Sequence, residues 1–228
     1  MKEIIQVAGV IDQAEAQMLI NSGVDWLGFP LRILFHREDL KEETATEIIR
    51  SLVPPHAGVL ITYLNKADDI LELVNKTGVQ KIQLHYEIKR EELECLRREL
   101  PNLYIIKNLI IREENSGKLQ NEIQTYSPIV DAFITDTYDS TTGAWGATGK
   151  THDWNISRAL VQISPRPLIL AGGLKPENVY QAILKVKPAG IDAHTGLEGP
   201  DGRKDPKRVQ LFIRESRRAF SEISKKGS

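Results

Sequence analysis

The chain has 228 residues, of which 41% are hydrophobic and 27% are charged, which suits one domain or at most two small ones. Its 30 basic and 31 acidic side chains give a formal charge of −1, so it lacks the surplus of Lys and Arg that a nucleic-acid-binding surface requires. The one cysteine, Cys95, excludes an internal disulfide framework and is typical of a reducing compartment. The apolar runs are too short to span a bilayer, and the first residues do not form a secretory signal. We therefore expect a soluble, cytoplasmic protein.

Short β-branched runs alternate with longer amphipathic runs along the whole chain, which predicts alternating strands and helices. The predicted strands are residues 4–8, 24–29, 59–63, 82–85, 103–111, 132–135, 168–171 and 190–193. The first predicted helix begins after its N-cap, Asp12, and stops at Gly23. The other predicted helices are residues 38–52, 67–75, 91–100, 118–126, 154–163, 176–186 and 207–223.

The eight strand–helix pairs average roughly 28 residues each, close to the length of a right-handed βαβ unit. Eight such units close into a parallel barrel with the helices outside. An open doubly wound sheet is the competing architecture, but no G-x-G-x-x-G motif follows the first strand. The sequence therefore predicts an α/β protein of one (β/α)8 barrel domain over residues 1–228, with 224–228 as a frayed tail.

In such barrels the functional site lies at the C-terminal ends of the strands. Gly172 and Gly173 follow the seventh predicted strand, and Thr195 and Gly196 follow the eighth. Small residues there let main-chain N–H groups approach an anion closely, and a helix N-terminus after the eighth strand would add its positive end. These loops predict a phosphate monoester as ligand. The alternative is that the glycines only form ordinary helix-entry turns.

The loop after the sixth predicted strand is long and rich in glycine, which is typical of a loop that folds over a ligand. Asp136 stands at the tip of that strand, where a carboxyl group can donate or accept a substrate proton. Its alternative role is an Asx turn that caps the loop. Position alone does not decide between the two.

Several segments resemble phosphoribosylanthranilate isomerases, a family of barrel enzymes of tryptophan biosynthesis. They occur in the family's order over nearly the whole chain. They are 23–29, 79–85 with its Gln83-Leu84-His85, Asp136-Thr137, Gly146-Ala147-Thr148-Gly149 with Asp153-Trp154, Ala171-Gly172-Gly173-Leu174-Lys175-Pro176 with 177–179, and Asp192 to Gly196-Leu197-Glu198 with Lys204-Asp205.

The resemblance implies an Amadori rearrangement of a phosphoribosylamine to a 1-amino-1-deoxyribulose phosphate. In that reaction a general acid opens the ribose ring to a Schiff base, and a general base then removes the proton from C2′. Asp136 matches the acid, and Arg37 matches the arginine that pairs with the anthranilate carboxylate. A guanidinium suits bidentate carboxylate binding, although Arg37 is also consistent with a solvated loop charge.

The resemblance also assigns residues to the substrate. Gln83, His85 and Asp192 match substrate-contacting positions, and Gly149 joins the glycines expected at the phosphate. His85 lies at the end of the fourth predicted strand, where it would orient substrate or contact the loop after the fifth predicted strand, near Lys107. A histidine satisfied by neighbouring main chain is the alternative.

Two departures from the family bear on the chemistry. The family's first strand carries Lys-Ile-Cys-Gly, whose cysteine is the base, and the residue here is Ala8. Cys95 falls in an outer helix and cannot replace it. The family's eighth strand carries Asp-x-Ser-Ser-Gly, and here His194 takes the place of the first serine. Because strands one and eight are neighbours in a closed barrel, we hypothesise that His194 replaces the cysteine as base or contacts a different substrate. The alternative is that it only hydrogen-bonds the phosphate.

These residues favour a phosphosugar isomerase. The alternatives are an epimerase or lyase of the same fold, or a phosphosugar-binding protein without activity. We expect no cofactor and no metal, because histidines and carboxylates do not cluster on adjacent strand ends. The expected partner is a phosphorylated small molecule rather than nucleic acid or membrane. The sequence leaves the exact substrate and the oligomeric state open, a homodimer included.

Overall fold

The computed structural model describes residues 3–33, 40–112, 116–139, 144–145 and 151–226. Its strands are β1 Ile4–Ala8, β2 Trp26–Pro30, β3 Ala57–Thr62, β4 Lys81–Leu84, β5 Tyr104–Ile111, β6 Ala132–Asp139, β7 Ala144–Trp145, β8 Leu168–Leu170 and β9 Gly190–Ala193. Its helices are α1 Gln13–Ser22, α2 Glu42–Ser51, α3 Ala67–Thr77, α4 Arg90–Glu99, α5 Ser116–Tyr126, α6 Trp154–Ile163, α7 Val179–Val186 and α8 Pro206–Lys226.

Eight of these strands form a closed parallel barrel in the order β1-β2-β3-β4-β5-β6-β8-β9, and β9 pairs with β1 to complete it. The predicted (β/α)8 architecture is therefore confirmed. β7 is an additional strand that the sequence analysis missed. It pairs antiparallel with the end of β6, which runs four residues beyond its predicted end at Thr135. None of the helices in the described part of the chain combines the length and hydrophobicity of a transmembrane span.

Local signals placed some helix ends correctly. The Asp12 side chain accepts a hydrogen bond from the Glu15 N–H at 2.8 Å, and Gly23 takes the left-handed conformation that ends α1. The predicted start of the seventh helix at Pro176 is wrong, because a turn precedes it. In that turn the Asn178 carboxamide oxygen accepts a hydrogen bond from the Lys175 N–H at 2.9 Å, and the helix begins only afterwards.

Several other ends also differ from the prediction by one or more residues. The second helix was expected from residue 38 and begins at Glu42, while 34–39 lie outside the described residues. At the C-terminus α8 continues to Lys226, so residues 224–226 are helical. The frayed tail stays a prediction for 227–228, which are also outside the described residues.

The core has two layers. The larger one lies between the barrel and the helices and contains residues such as Leu27, Phe29 and Phe212. The smaller one fills the barrel interior with small and medium apolar side chains, among them Ala8, Ile61 and Ile134. Alternation along each strand separates the two layers. The same alternation turns a few polar side chains into the interior, and these form the floor of the site described below.

Asp25 joins the two ends of the chain. Its Oδ2 accepts hydrogen bonds from the Ile5 N–H at 2.8 Å and from the Arg217 guanidinium at 2.5 Å. Arg217 lies in α8 and also donates to the Glu3 carbonyl oxygen at 2.8 Å. One buried carboxylate therefore fixes β1, the start of β2 and the last helix against one another.

The same arrangement occurs half a barrel away. Asp131, just before β6, accepts hydrogen bonds from the Ile105 N–H at 2.8 Å and from Arg97 of α4 at 2.6 Å. Each aspartate thus ties the N-terminal end of one strand to the preceding strand and to a helix, which is the last helix α8 for Asp25 and α4, the helix that leads into β5, for Asp131. The two clamps hold opposite sides of the barrel floor in register.

Replacing Asp25 tests this clamp. Asp25→Ala leaves the Ile5 N–H and the Arg217 guanidinium without their acceptor, so we expect the free energy of unfolding to fall by about 3 kcal/mol. The matched control Asp69→Ala, at an exposed position of α3, is expected to change it by less than about 0.5 kcal/mol. Equilibrium urea unfolding measures both free energies. Equal effects of the two substitutions would show that the hydrogen bonds of Asp25 do not stabilise the fold.

Candidate active site

A cavity of about 310 Å³ opens at the C-terminal ends of the barrel strands. Nine of the eleven predicted site residues line it: Gln83, His85, Asp136, Gly172, Gly173, Asp192, His194, Thr195 and Gly196. The other two, Arg37 and Gly149, lie outside the described residues. Cys95 lies on α4, an outer helix, so it is remote from this cavity, as expected.

The structure adds Tyr63, which the sequence analysis did not single out. It follows β3 and lines the cavity, with its ring tilted over His85 at 4.8 Å between ring centroids. Burial and the neighbouring Asp136 carboxylate raise the pKa of its hydroxyl above the ordinary value. The sequence signal that could have identified Tyr63 is an aromatic residue at the end of a predicted barrel strand.

Asp136 lies at the point where β6 enters the cavity, and its two oxygens have different surroundings. Oδ1 accepts a hydrogen bond from the N–H of the next residue, Thr137, at 2.7 Å, which is not the contact two residues on that an Asx turn requires. Oδ2 lies 3.6 Å from His85 Nε2. The contact to Thr137 and a proton-transfer role are compatible, because they use different oxygens.

His85 is itself fixed from β5. Asn108 Nδ2 lies 3.2 Å from His85 Nδ1 and donates to the His85 carbonyl oxygen at 3.3 Å. This contact comes from β5 itself, one residue after Lys107, and not from the loop after that strand, where the sequence analysis expected it. It sets the orientation of the imidazole that faces Asp136.

Asp192 lies in the barrel interior beside Gln6, its partner in the β1–β9 pairing. Its Oδ1 is buried and has no hydrogen-bond partner in the described part of the chain. Burial raises the pKa of this carboxyl group to about 7, and the Asp136 carboxylate adds to the rise. The Gln6 amide and the Lys204 charge oppose the shift. Asp192 and Asp136 therefore form a pair of buried carboxyl groups in one cavity.

The strand register places His194 beside Ala8. Gln6 pairs with Asp192 and Val7 with Ala193, so the next residues of the two strands are level and point to the same face. The His194 imidazole packs directly against Gly9. A Cβ added to Gly9 would lie only 2.0 Å from His194 Nε2. His194 therefore occupies the layer of the cavity that contains the methyl group of Ala8.

A buried ion pair supports this imidazole. Glu198 Oε1 lies 3.3 Å from His194 Nε2 and 3.1 Å from Lys204 Nζ. The Lys204 side chain is 1% exposed, and its ammonium also donates to the Gly9 carbonyl oxygen at 3.2 Å. Lys204 thus holds both the carboxylate that faces His194 and the backbone against which the ring packs.

The glycine turns at the other side of the cavity are tight. A Cβ on Gly172 would lie 2.3 Å from Thr137 Oγ1, and one on Gly196 would lie 2.0 Å from the Leu174 carbonyl oxygen. Close packing by itself therefore requires both glycines. A short 3-10 helix, Thr195–Leu197, follows β9 at the place where a helix N-terminus was expected. Phosphate binding by these turns stays a prediction.

His152, which the sequence left without a role, anchors the β6 end. Its Nδ1 lies 2.9 Å from Thr137 Oγ1 and its Nε2 lies 2.6 Å from Ser157 Oγ in α6. Burial lowers its pKa to about 4, so the ring is neutral at physiological pH. It therefore acts as a neutral link between the strand that carries Asp136 and the helix that follows.

The fold and this cavity define a (β/α)8-barrel enzyme whose titratable side chains meet at the C-terminal ends of the strands. The family model described as N-(5'-phosphoribosyl)anthranilate (PRA) isomerase matches residues 5–215. The chain belongs to the phosphoribosylanthranilate isomerase family.

Relatives and solved structures agree with this assignment. The N-(5'-phosphoribosyl)anthranilate isomerase 2 of Methanosarcina mazei is 37% identical over 220 residues, which cover 96% of this chain and 96% of that protein. The N-(5'-phosphoribosyl)anthranilate isomerase structure from Pyrococcus furiosus has a TM-score of 0.78 and 24% identity, covering 95% of this chain and 99% of that one. A phosphoribosyl anthranilate isomerase in complex with reduced 1-(o-carboxyphenylamino)-1-deoxyribulose 5-phosphate has a TM-score of 0.77 and 23% identity, covering 94% and 98%.

The raised pKa of Asp192 predicts a pH dependence of stability. The folded protein holds this proton up to about pH 7, whereas the ordinary value for the unfolded chain is 3.8. The unfolded chain therefore binds fewer protons between these values, and the free energy of unfolding falls as the pH rises from about 4 to about 7. In the wild type we expect the free energy of unfolding to fall by an amount on the order of 2–4 kcal/mol over this pH range. We expect Asp192→Asn to abolish this decrease.

Urea unfolding at several pH values measures this slope. Asp69→Asn, at an exposed position, is the control and is expected to leave the slope unchanged. A slope that is the same in wild type and Asp192→Asn would mean that Asp192 does not hold its proton in the folded protein.

Proposed function

We propose that the protein catalyses the Amadori rearrangement of N-(5'-phosphoribosyl)anthranilate to 1-(o-carboxyphenylamino)-1-deoxyribulose 5-phosphate. Membership of the isomerase family over nearly the whole chain supports the reaction. The observation that carries the proposal is that one cavity contains both Asp136 and, in the layer of the missing cysteine, His194. The substrate is thus a phosphorylated small molecule, and the proposed steps need no cofactor.

Asp136 is the proposed general acid. It donates its proton to the ribose ring oxygen while the bond from that oxygen to C1′ breaks, and the amine lone pair forms the C1′–N double bond of the Schiff base. The acid must be protonated to begin, and the neighbouring Asp192, whose pKa burial and the Asp136 charge raise to about 7, holds a proton in the same cavity below that pH. The contact between Oδ1 and the Thr137 N–H fixes the carboxyl group while Oδ2 remains on the His85 side.

His194 is the proposed general base. It removes the C2′ proton, the electrons of that bond form the C1′–C2′ double bond, and the electrons of the C–N double bond return to nitrogen. The resulting enolamine tautomerises to the ketone. Imidazole accepts protons efficiently near neutral pH. The Glu198 carboxylate, 3.3 Å from Nε2, stabilises the imidazolium that this step creates.

The remaining residues are proposed to bind substrate. Gly172, Gly173, Thr195 and Gly196 would hold the phosphate through main-chain N–H groups, joined by Gly149. Gln83, His85 and Asp192 would contact the ribose, and Arg37 would pair with the anthranilate carboxylate. A phosphosugar-binding protein without turnover is the alternative that Ala8 suggests, and the kinetic experiment below separates the two.

The first test is turnover of freshly generated N-(5'-phosphoribosyl)anthranilate, followed by the loss of anthranilate-type fluorescence. We expect His194→Ala and Asp136→Asn each to lower kcat by about 10²- to 10⁴-fold, because each removes one proton-transfer group. Asp201→Asn, at an exposed position outside the cavity, is the control. Undiminished turnover in His194→Ala would exclude it as the base, and binding without turnover in wild type would select the inactive alternative.

A rescue experiment tests whether His194 replaces the family's cysteine, since Ala8 and His194 lie in the same layer of the cavity. In a His194→Ala background, Ala8→Cys restores a proton acceptor at the position of the family's base. We expect a recovery of kcat of about tenfold or more over the single variant, abolished by alkylation of the new thiol. A folded double variant without any recovery would contradict the idea that His194 stands in for the cysteine.

A further inference from the structure

A second cavity, of about 560 Å³, lies beside the proposed active site between the segments that follow β4 and β5. His85 forms part of the wall of both cavities. The proposed reaction uses none of the other residues of this second cavity. Two of them, Lys107 and Asn108, carry buried polar atoms whose hydrogen-bonding capacity is largely unused.

Lys107 is a buried lysine that forms no ion pair with a carboxylate of the described residues. The residue is 5% exposed, and its ammonium makes one hydrogen bond in the described part of the chain, to the Asn108 carbonyl oxygen at 3.3 Å. The ring of Tyr126 lies 5.3 Å from Nζ. Burial lowers the pKa of this lysine. An ammonium has three donors, so the interior leaves most of its capacity unsatisfied.

Asn108 adds an acceptor. It is 3% exposed, and its Nδ2 is engaged by the ring nitrogen and carbonyl oxygen of His85. Its Oδ1 is buried without a hydrogen-bond partner among the described residues. A buried carbonyl oxygen without a donor destabilises the folded protein. Both residues line the second cavity, so a suitable ligand there would satisfy a cation and an acceptor together.

The charges around the cavity favour an anion. Besides the buried lysine, the wall contains Lys89, Arg112 and Lys118 against only Glu87 and Glu122 among its described residues. Lys118 Nζ lies 3.4 Å from Glu87 Oε1 and 3.9 Å from Glu122 Oε1, so both carboxylates form ion pairs with Lys118. The described residues of the wall therefore carry a surplus of basic side chains, of which Lys107 is buried.

We propose that the second cavity binds a small anion that also carries a hydrogen-bond donor, such as hydrogen phosphate or a hydroxycarboxylate. Lys107 supplies the positive charge for the anionic oxygens, and Asn108 Oδ1 accepts the ligand's O–H. Because Asn108 also contacts His85, whose Nε2 lies 3.6 Å from Asp136, the bound anion is two contacts away from the proposed acid. The site does not depend on the isomerase reaction.

Site-specific acetylation tests the proposal on the intact protein. The chain is treated with limiting acetic anhydride at neutral pH, and peptide mass spectrometry gives the rate at each lysine. We expect inorganic phosphate to slow acetylation of Lys107 saturably, by about tenfold at high occupancy. Sulfate, which has no donor at this pH, is expected to protect less. Lys118, on the same wall but paired with carboxylates, is the internal control and is expected to change by less than about twofold.

Asn108→Leu removes the acceptor and leaves the glycine turns of the active site intact. We expect it to weaken the protection of Lys107 by phosphate about tenfold, the effect of one lost buried hydrogen bond. The proposal fails if phosphate protects both lysines equally or neither, if sulfate protects as well as phosphate, or if a folded Asn108→Leu variant retains full protection. It also fails if Lys107 does not react while exposed lysines do, because the cavity would then be closed to small molecules. The wild-type comparison of phosphate with sulfate decides the matter even if the variant does not fold.

Discussion

Closure of the parallel sheet between β1 and β9 is the constraint on which the site depends. The pairing of Gln6 with Asp192 places Ala8 level with His194 and turns both toward the cavity. A shift of one residue would reverse every side chain of β9 and bury His194 among the helices. The Asp25 clamp, which joins β1 to α8, holds the ends of the chain so that this register forms. A contact at the floor of the barrel therefore supports the chemistry at its opposite end.

Within the cavity, burial strengthens the electrostatic interactions between the polar groups. Asp136 and Asp192 are close enough for each charge to disfavour the other, and little water reaches either. On the other side, Lys204 is almost fully buried yet neutralised by Glu198, which in turn faces His194. This arrangement gives the cavity one side suited to a proton donor and another suited to an acceptor. A phosphosugar whose ring must be opened and then deprotonated needs both.

This chain belongs to the isomerase family but departs from its sequence pattern at positions that bear on the chemistry. The barrel, the glycine turns and the strand-six aspartate follow the pattern that the sequence resembles, while Ala8 stands where that pattern has a cysteine. Fold similarity by itself would not reveal how the reaction proceeds without that cysteine. The proposed mechanism uses His194, which departs from the resembled motif at a position in the same layer as Ala8. In that mechanism the two changes are a single exchange of one proton acceptor for another across adjacent strands.

The sequence by itself determined the eight strand–helix units, the Asp12 cap, the Gly23 stop and the strand ends where the site residues gather. These features depend on side-chain alternation and on contacts within a few residues, which a linear pattern contains. Only the tertiary structure decided the β6–β7 pairing, the clamps of Asp25 and Asp131, the support of His194 by Glu198 and Lys204, and the burial of Lys107 beside Asn108. Most of these involve groups brought together from distant parts of the chain or by a particular packing of layers. The energy of a buried charge or hydrogen bond depends on which partners the fold supplies, and no local pattern specifies them.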